Sequence, residues 1–218
     1  YYDFGFFFLD FFEFSNKLSF DIQYICEPKI DGVGISLVYF RGVLISASTR
    51  GDGFFGEDVT INCKSISEIP SKLNTYIVPY IFEVRGEIYI KKIDFIKLNS
   101  LCFNSNLKLL LNCRNAAAGS LRIFNYKISF SRLLSFYVYS IQKIIDINIH
   151  SFSFIENIIL LKNFGFFYKY VFSFTNRISN SIKYYFDLFK NKFYFYCDID
   201  GVVIKINNFF LNKFLTNV

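Results

Sequence analysis

The sequence has no methionine and no tryptophan, and only one histidine and three prolines among its 218 residues. Its five cysteines are scattered without a CxxC pair, which argues against a zinc site or a disulfide framework and favours a reducing cytoplasm. Apolar runs stay shorter than the roughly 18 residues of a membrane span, so no membrane partner is expected. Because a natural product would keep its initiator, the missing methionine predicts a segment of a longer protein.

Apolar and aromatic residues, in contrast, are plentiful. Hydrophobic residues make up 53% of the chain, including 31 Phe and 16 Tyr, which is enough for the core of one sizeable domain. Core filling by Phe is favoured over a base-stacking platform. The net charge of +6 fits a nucleotide or nucleic-acid partner, although solvated lysines alone would also produce it. Residues 1–20 predict an entry helix with Asp3, Asp10 and Glu13 on its outer face.

The periodicity of the chain predicts more strands than helices, without regular alternation between them, which favours an α+β fold with antiparallel sheets. A hairpin is expected to turn at Arg41-Gly42, and RNAAAGSLR (114–122) reads as a loop running into a short helix. The predicted strands cover residues 22–29, 32–49, 81–90, 133–141 and 198–206. The predicted helices cover residues 91–103, 151–165 and 176–193.

The segment EPKIDG, residues 27–32, carries the strongest chemical signal. Lys29 leaves an apolar strand with the carboxylates of Glu27 and Asp31 two residues away on either side. Side chains two apart on a strand share a face, so Glu27 and Lys29 are expected to point into one cleft. A nucleophilic lysine must be neutral; burial and nearby cations lower a lysine pKa, whereas carboxylates raise it. A half-buried structural ion pair is the alternative, and EPKIDG alone favours that alternative.

Three further charged segments interrupt apolar strands. Arg50 precedes a glycine-rich loop that opens into a short helix, and such a combination can hold ribose and phosphate oxygens. Residues 83–88 (EVRGEI) alternate charged and apolar positions, and Glu87 is the last charge on that face. In DIDGVVIK, Asp200 and Lys205 flank a hydrophobic stretch. Because surface charges usually lie on helices and loops, these segments predict one polar cleft in an apolar sheet.

Taken together, the motifs resemble those of NAD-dependent DNA ligases in order and approximate spacing over residues 22–207. KxDG and DGVVIK are shared with ATP-dependent ligases and mRNA capping enzymes, whereas RGDGxxGEDVT and RNAAAGSLR are far more particular to the NAD-dependent family. The resemblance implies a nucleotidyltransferase (adenylation) fold, in which helices flank antiparallel sheets and the nucleotide cleft lies between the sheets. The motifs are EPKIDG, TRGDG with GEDVT, EVRGEI, RNAAAGSLR, SFYVYS and DIDGVVIK.

For the nucleotide, the resemblance implies that Lys29 attacks the α-phosphate of NAD, becomes lysyl-AMP and expels nicotinamide mononucleotide. Glu27 is implied to bind the adenine amino group, and Tyr139 to stack on the adenine ring. Arg50 and Glu87 are implied to hold the ribose hydroxyls. The resemblance thus assigns the adenosine half of NAD to four side chains of this chain and the α-phosphate to Lys29.

For the phosphates, the resemblance implies that Lys205 approaches the adenine and the α-phosphate and offsets transition-state charge. Asp31 and Asp200 are implied to orient the reactants or to contact Mg²⁺, and no metal site made by protein ligands alone is predicted. Arg114 and Arg122 are implied to contact bound nucleotide or the phosphates of nicked double-stranded DNA.

The chain departs from the family pattern in places. Cys113 stands where the family has proline, and His150 matches no motif and is expected on the surface. The small N-terminal domain, the final lysine motif and the downstream domains, including the four-cysteine zinc finger, are expected to lie outside residues 1–218. Those residues are therefore expected to form an adenylation core, to be monomeric, and to charge poorly from NAD alone.

Two other functions remain open from the sequence. One is a degenerate, non-catalytic nucleotide-binding remnant of such a ligase, which the absent flanking motifs and the heavy Phe content keep open. The other is a basic, aromatic nucleic-acid-binding module, which accounts for the charge but not for carboxylates inside apolar strands. The intact charged motifs favour the enzyme over both.

Overall fold

The computed structural model describes residues 22–51, 56–122, 133–146, 153–168 and 172–208. The predicted entry helix (1–20), His150 and part of the RGDG loop (52–55) lie outside the described residues. Within them the strands are β1 Tyr24–Ile30, β2 Val33–Phe40, β3 Val43–Thr49, β4 Ile81–Ile90, β5 Leu134–Ile145, β6 Ser173–Thr175 and β7 Ile199–Ile206. The α-helices are α1 Thr60–Cys63, α2 Lys92–Asn104, α3 Cys113–Leu121, α4 Phe154–Asn163 and α5 Ile178–Lys190, and a 3₁₀ turn spans Lys192–Tyr194.

The strands form two antiparallel sheets. One has three strands in the order β6-β1-β7, and the other has four in the order β3-β2-β4-β5. The prediction of an α+β chain with antiparallel sheets and helices is therefore confirmed. In the first sheet, Lys29 of β1 lies opposite Gly201 of β7, and a register shift follows between Lys29 and Ile30. EPKIDG and DIDGVVIK are thus neighbours in one sheet.

The two sheets are joined where β1 ends and β2 begins, with only Asp31 and Gly32 between them. The Asp31 amide donates to the Asp198 carbonyl at 2.9 Å, which holds this connection against the start of β7. At Gly32, an added Cβ would lie 2.2 Å from the backbone oxygen of Ile88. No side chain fits at that distance, so glycine is required where the chain crosses from one sheet to the other.

The β2–β3 hairpin confirms the predicted turn at Arg41-Gly42. Both residues have positive φ, 46° and 75°, which is the backbone of a two-residue type I′ turn. The RNAAAGSLR prediction was wrong in part, because α3 is helical from Cys113 onward. The Asn112 side chain accepts from the Asn115 amide at 2.7 Å and caps the first turn.

The core lies between the sheets and the helices packed on them. Phe82 is fully buried, and its ring meets Phe164 edge-on at a centroid distance of 5.0 Å. Other phenylalanines are exposed, however, including Phe103 and Phe193 at 72% and 85%. Core filling therefore explains only some of the aromatic content. In the described part of the chain, every helix is too short or too polar to cross a bilayer.

Candidate active site

A cleft of about 1120 Å³ opens between the two sheets and is closed on one side by α3. Strand ends from both sheets contribute to it, because the short β1–β2 connection brings EPKIDG next to β4. Eight of the ten site residues expected from the sequence line this cleft. They are Glu27, Lys29, Arg50, Glu87, Arg114, Arg122, Tyr139 and Lys205. Asp31 and Asp200 are not among the lining residues, but each is paired with one that is.

Lys29 extends from β1 over the neighbouring strand. The space beside Gly201 is filled by the Lys29 stem, whose Cδ lies 3.6 Å from the position of an added Cβ. The Lys29 Nζ donates to both carboxylate oxygens of Asp200, at 2.6 and 2.8 Å. The two side chains are 54% and 41% exposed, so the pair contributes no more than about 1 kcal/mol and opens readily.

The nearby carboxylates do not pair with Lys29, which corrects the simplest interpretation of EPKIDG. Asp31 follows the end of β1 and accepts from Arg114 Nη1 at 3.0 Å. Glu27 is only 2% exposed and forms its ion pair with Lys205. The prediction that Glu27 and Lys29 face the same cleft is confirmed, because both line it. The ion pair that Lys29 does form is with Asp200, outside EPKIDG, and its two side chains are 54% and 41% exposed.

Glu27 lies at the buried end of the cleft, within a polar network that the sequence did not reveal. Its Oε1 accepts from the hydroxyls of Tyr137 and Tyr168, each at 2.9 Å. Tyr137 shares a strand face with the predicted Tyr139, so alternation along SFYVYS could have found it. Tyr168 follows α4, far away in sequence, and no local pattern marks it.

Lys205 reaches the same end of the cleft from β7. Besides its ion pair with Glu27, its Nζ donates to the Tyr139 carbonyl at 3.0 Å. The ammonium also lies 4.6 Å from the centroid of the Phe154 ring, a cation–π distance. These contacts hold a mostly buried cation in place beside the carboxylate.

The middle of the cleft is open because β2 has glycine there. A methyl group on Gly34 would lie 3.6 Å from Glu87 Oε2, 3.9 Å from Arg50 Cβ and 4.0 Å from Tyr139 Oη. Burial raises the pKa of Glu87 to about 7, and the positive charges of Arg114 and Lys29 oppose that rise only in part. Burial also raises the pKa of the Tyr139 phenol. A carboxylate that changes charge near neutral pH therefore lies beside an arginine and an aromatic ring.

Two arginines border the cleft, one in the first turn of α3 and one directly after its last residue. Arg114, Ala118 and Arg122 are spaced by four residues and share one helix face, and all three line the cleft. Arg122 Nε donates to Glu57 Oε2 at 2.6 Å, a partner that the sequence did not predict. Arg114 and Arg122 are 57% and 62% exposed, so a phosphate can displace either carboxylate at small cost.

The carboxylates of this site do not form a cage for a metal ion. In the described ranges no three His, Cys, Asp or Glu side chains come together as a metal-binding group. Asp31 and Asp200 are each engaged by a cation. Mg²⁺ commonly binds through one or two carboxylates together with substrate phosphates. The protein groups here do not fit a resident Mg²⁺, and we derive no step through one.

Comparisons with known proteins identify the family of the chain. A family model for the NAD-dependent DNA ligase adenylation domain matches residues 8–217. A DNA ligase from Legionella pneumophila (strain Paris) is 40% identical over 192 residues, which is 88% of this chain and 28% of that relative. The chain thus spans less than a third of the length of this curated relative. The match over nearly all of its residues shows that the chain belongs to the NAD-dependent DNA ligase adenylation domain family.

Proposed function

We propose that residues 1–218 form the adenylation core of an NAD-dependent DNA ligase, with the nucleotidyltransferase fold, and that Lys29 accepts AMP from NAD. One observation carries the proposal: eight predicted site residues from separate segments converge on a single cleft. Its volume of about 1120 Å³ is at the upper end of ordinary ligand pockets, which run to roughly 1,000 Å³. A dinucleotide substrate fits that size.

In the proposed reaction, Lys29 Nζ attacks the α-phosphorus of NAD. The N–P bond forms as the bond to the bridging oxygen breaks, and nicotinamide mononucleotide leaves with that electron pair. The ammonium must lose one proton before the attack, and the nitrogen loses a second as the new bond forms. Asp200, 2.6 Å from Nζ, is placed to receive the first proton or to pass it to solvent. Because the pair is exposed, its opening is not expected to limit the reaction.

The adenosine half is proposed to lie between the Glu27 end of the cleft and Gly34. Glu27 accepts from the adenine amino group, and the Tyr139 ring stacks on the base. Arg50 and Glu87 face the open space above Gly34, where ribose hydroxyls can bond to both. This arrangement would leave the α-phosphate between Lys29 and Lys205.

Lys205 is proposed to offset the charge that develops on the α-phosphate, and its fixed position makes that contribution preorganised. Arg114 and Arg122 are proposed to exchange Asp31 and Glu57 for phosphate oxygens, either of NAD or of nicked DNA. The net charge of +6 is compatible with a DNA partner. DNA sealing belongs to the longer protein and is part of the proposal. The described site has no feature that favours the non-catalytic alternative.

The test of the nucleophile is Lys29→Arg in the full-length protein that contains this chain. Arginine keeps the positive charge but is not deprotonated in proteins, so the AMP adduct should disappear. Intact mass after incubation with NAD and Mg²⁺ measures the adduct. The matched control is Lys92→Arg, whose Nζ donates to the Lys192 carbonyl at 2.9 Å and which is not among the cleft-lining residues. An adduct on the Lys29→Arg protein would refute the assignment.

A further inference from the structure

The buried carboxylate of Glu27 accepts two hydrogen bonds in addition to its ion pair with Lys205. The Tyr137 hydroxyl and the Tyr168 hydroxyl both donate to Oε1, whereas Oε2 is the oxygen paired with Lys205. Tyr137 and Tyr168 are themselves 5% and 6% exposed, and their ring centroids are 5.6 Å apart. The orientation of Glu27 is therefore set by two rigid, buried rings that come from β5 and from the segment after α4.

We propose that Tyr137 and Tyr168 are positioning residues that determine the nucleobase preference of the cleft. They hold Oε1 so that the free side of Oε2 faces the exocyclic group of the base. The inference rests on the proposed function, because it takes the nucleotide to lie at the Glu27 end of the cleft. The chemical class it selects is a 6-aminopurine over a 6-oxopurine.

The selection follows from counting acceptor sites. A carboxylate only accepts hydrogen bonds, with about two lone-pair sites on each oxygen. The two phenols fill Oε1, and Lys205 takes one site on Oε2. One site on Oε2 remains, and it can accept from the amino group of adenine. The 6-oxo group of hypoxanthine has no hydrogen to donate and would place an oxygen against a carboxylate.

The phenols are fixed as donors by their surroundings. Burial, followed by the negative charge of Glu27, raises the pKa of Tyr137, so its hydroxyl keeps its proton. The two hydroxyl oxygens are 3.2 Å apart, but each has a single proton, and Oε1 is the closer and charged acceptor. If both hydroxyls were removed, Oε1 would be a buried acceptor without these two hydrogen bonds. The Glu27 side chain would then turn so that Oε1 could accept from Lys205.

The experiment compares the binding of AMP and inosine 5′-monophosphate by calorimetry on the whole chain. The two ligands differ only in carrying a 6-amino or a 6-oxo purine, so their affinity ratio is insensitive to a general loss of packing. The variants are Tyr137→Phe, Tyr168→Phe and the double variant, which remove hydroxyls and keep the rings. The control is Tyr184→Phe, because the buried Tyr184 hydroxyl has no hydrogen-bond partner among the described residues and lies near enough to Glu27 to feel its charge.

We expect the wild type to prefer AMP by roughly tenfold or more, the scale of one hydrogen bond to a charged group. In the double variant the preference for AMP should fall to about threefold or less. The single variants should show a preference between those of the wild type and the double variant, and Tyr184→Phe should keep the wild-type preference. If the double variant does not fold, the single variants decide. An unchanged ratio in the Phe variants would show that the rings only fill space. Absence of AMP binding to the wild type would instead overturn the proposed function, and this inference with it.

Discussion

Glu87 should make the stability of the protein depend on pH in the opposite sense to most carboxylates. Burial raises its pKa from an ordinary value of 4.5 to about 7 in the folded state. Between those pH values the folded protein binds a proton that the unfolded chain has lost, so the free energy of unfolding falls as pH rises. At about 1.4 kcal/mol per pH unit, the loss approaches roughly 3 kcal/mol. Above pH 7 both states are ionised, and this contribution is constant.

The substitution Glu87→Gln isolates the effect, because the amide has a similar shape and does not titrate. Urea unfolding of the wild type and the variant at several pH values should show the variant gaining relative stability from pH 4.5 to about 7 and no further change above. A second variant, Arg114→Gln, removes the charge that most opposes the rise in the Glu87 pKa. The fall in the free energy of unfolding should therefore extend to higher pH. A difference between wild type and Glu87→Gln that does not vary between pH 4.5 and 7 would refute the reasoning.

This behaviour has a functional meaning under the proposed function. Above pH 7 the Glu87 carboxylate is ionised and partly desolvated, which lowers the free energy of unfolding. Binding sites commonly lose stability in this way in return for function. Ribose hydroxyls would add donors to the hydrogen bond that the ionised group already accepts from the Gly32 backbone. Glu87→Gln is therefore expected to be more stable than the wild type above pH 7 and to bind AMP more weakly.

Two further predictions address the shape of the cleft. If the Tyr139 ring stacks on adenine, Tyr139→Phe should bind AMP nearly as well as the wild type, and Tyr139→Ala should lose roughly 1–3 kcal/mol by calorimetry; equal affinity in wild type and Tyr139→Ala would assign the ring to the core alone. Gly32→Ala should destabilise the protein by about 1–3 kcal/mol in urea, because its Cβ would lie 2.2 Å from the Ile88 carbonyl oxygen. The helical Gly119 has open space around its Cβ position, so Gly119→Ala should stabilise by about 0.5–1 kcal/mol, and equal effects of the two changes would contradict the steric argument.

Local sequence determined the elements whose signals are short-range. The β2–β3 turn and the bounds of β4 agree with the structure, because turn backbone and strand alternation are set by a few adjacent residues. The shared face of Glu27 and Lys29 follows from the same alternation. Signals at the ends of elements were weaker: β5 extends to Ile145, beyond the expected end at 141, and RNAAAGSLR is helical from its first residue to Leu121.

The sequence by itself determined the charged motifs of this protein and, through them, the family and eight of the residues that line the cleft. Only the tertiary structure decided how those charges pair. Lys29 bonds to Asp200, 171 positions away, and Glu27 to Tyr168, 141 positions away, instead of to neighbours in EPKIDG. The physical reason is that side-chain direction along a strand is a local property. Which strands become neighbours, and in what register, depends on the packing of the whole core.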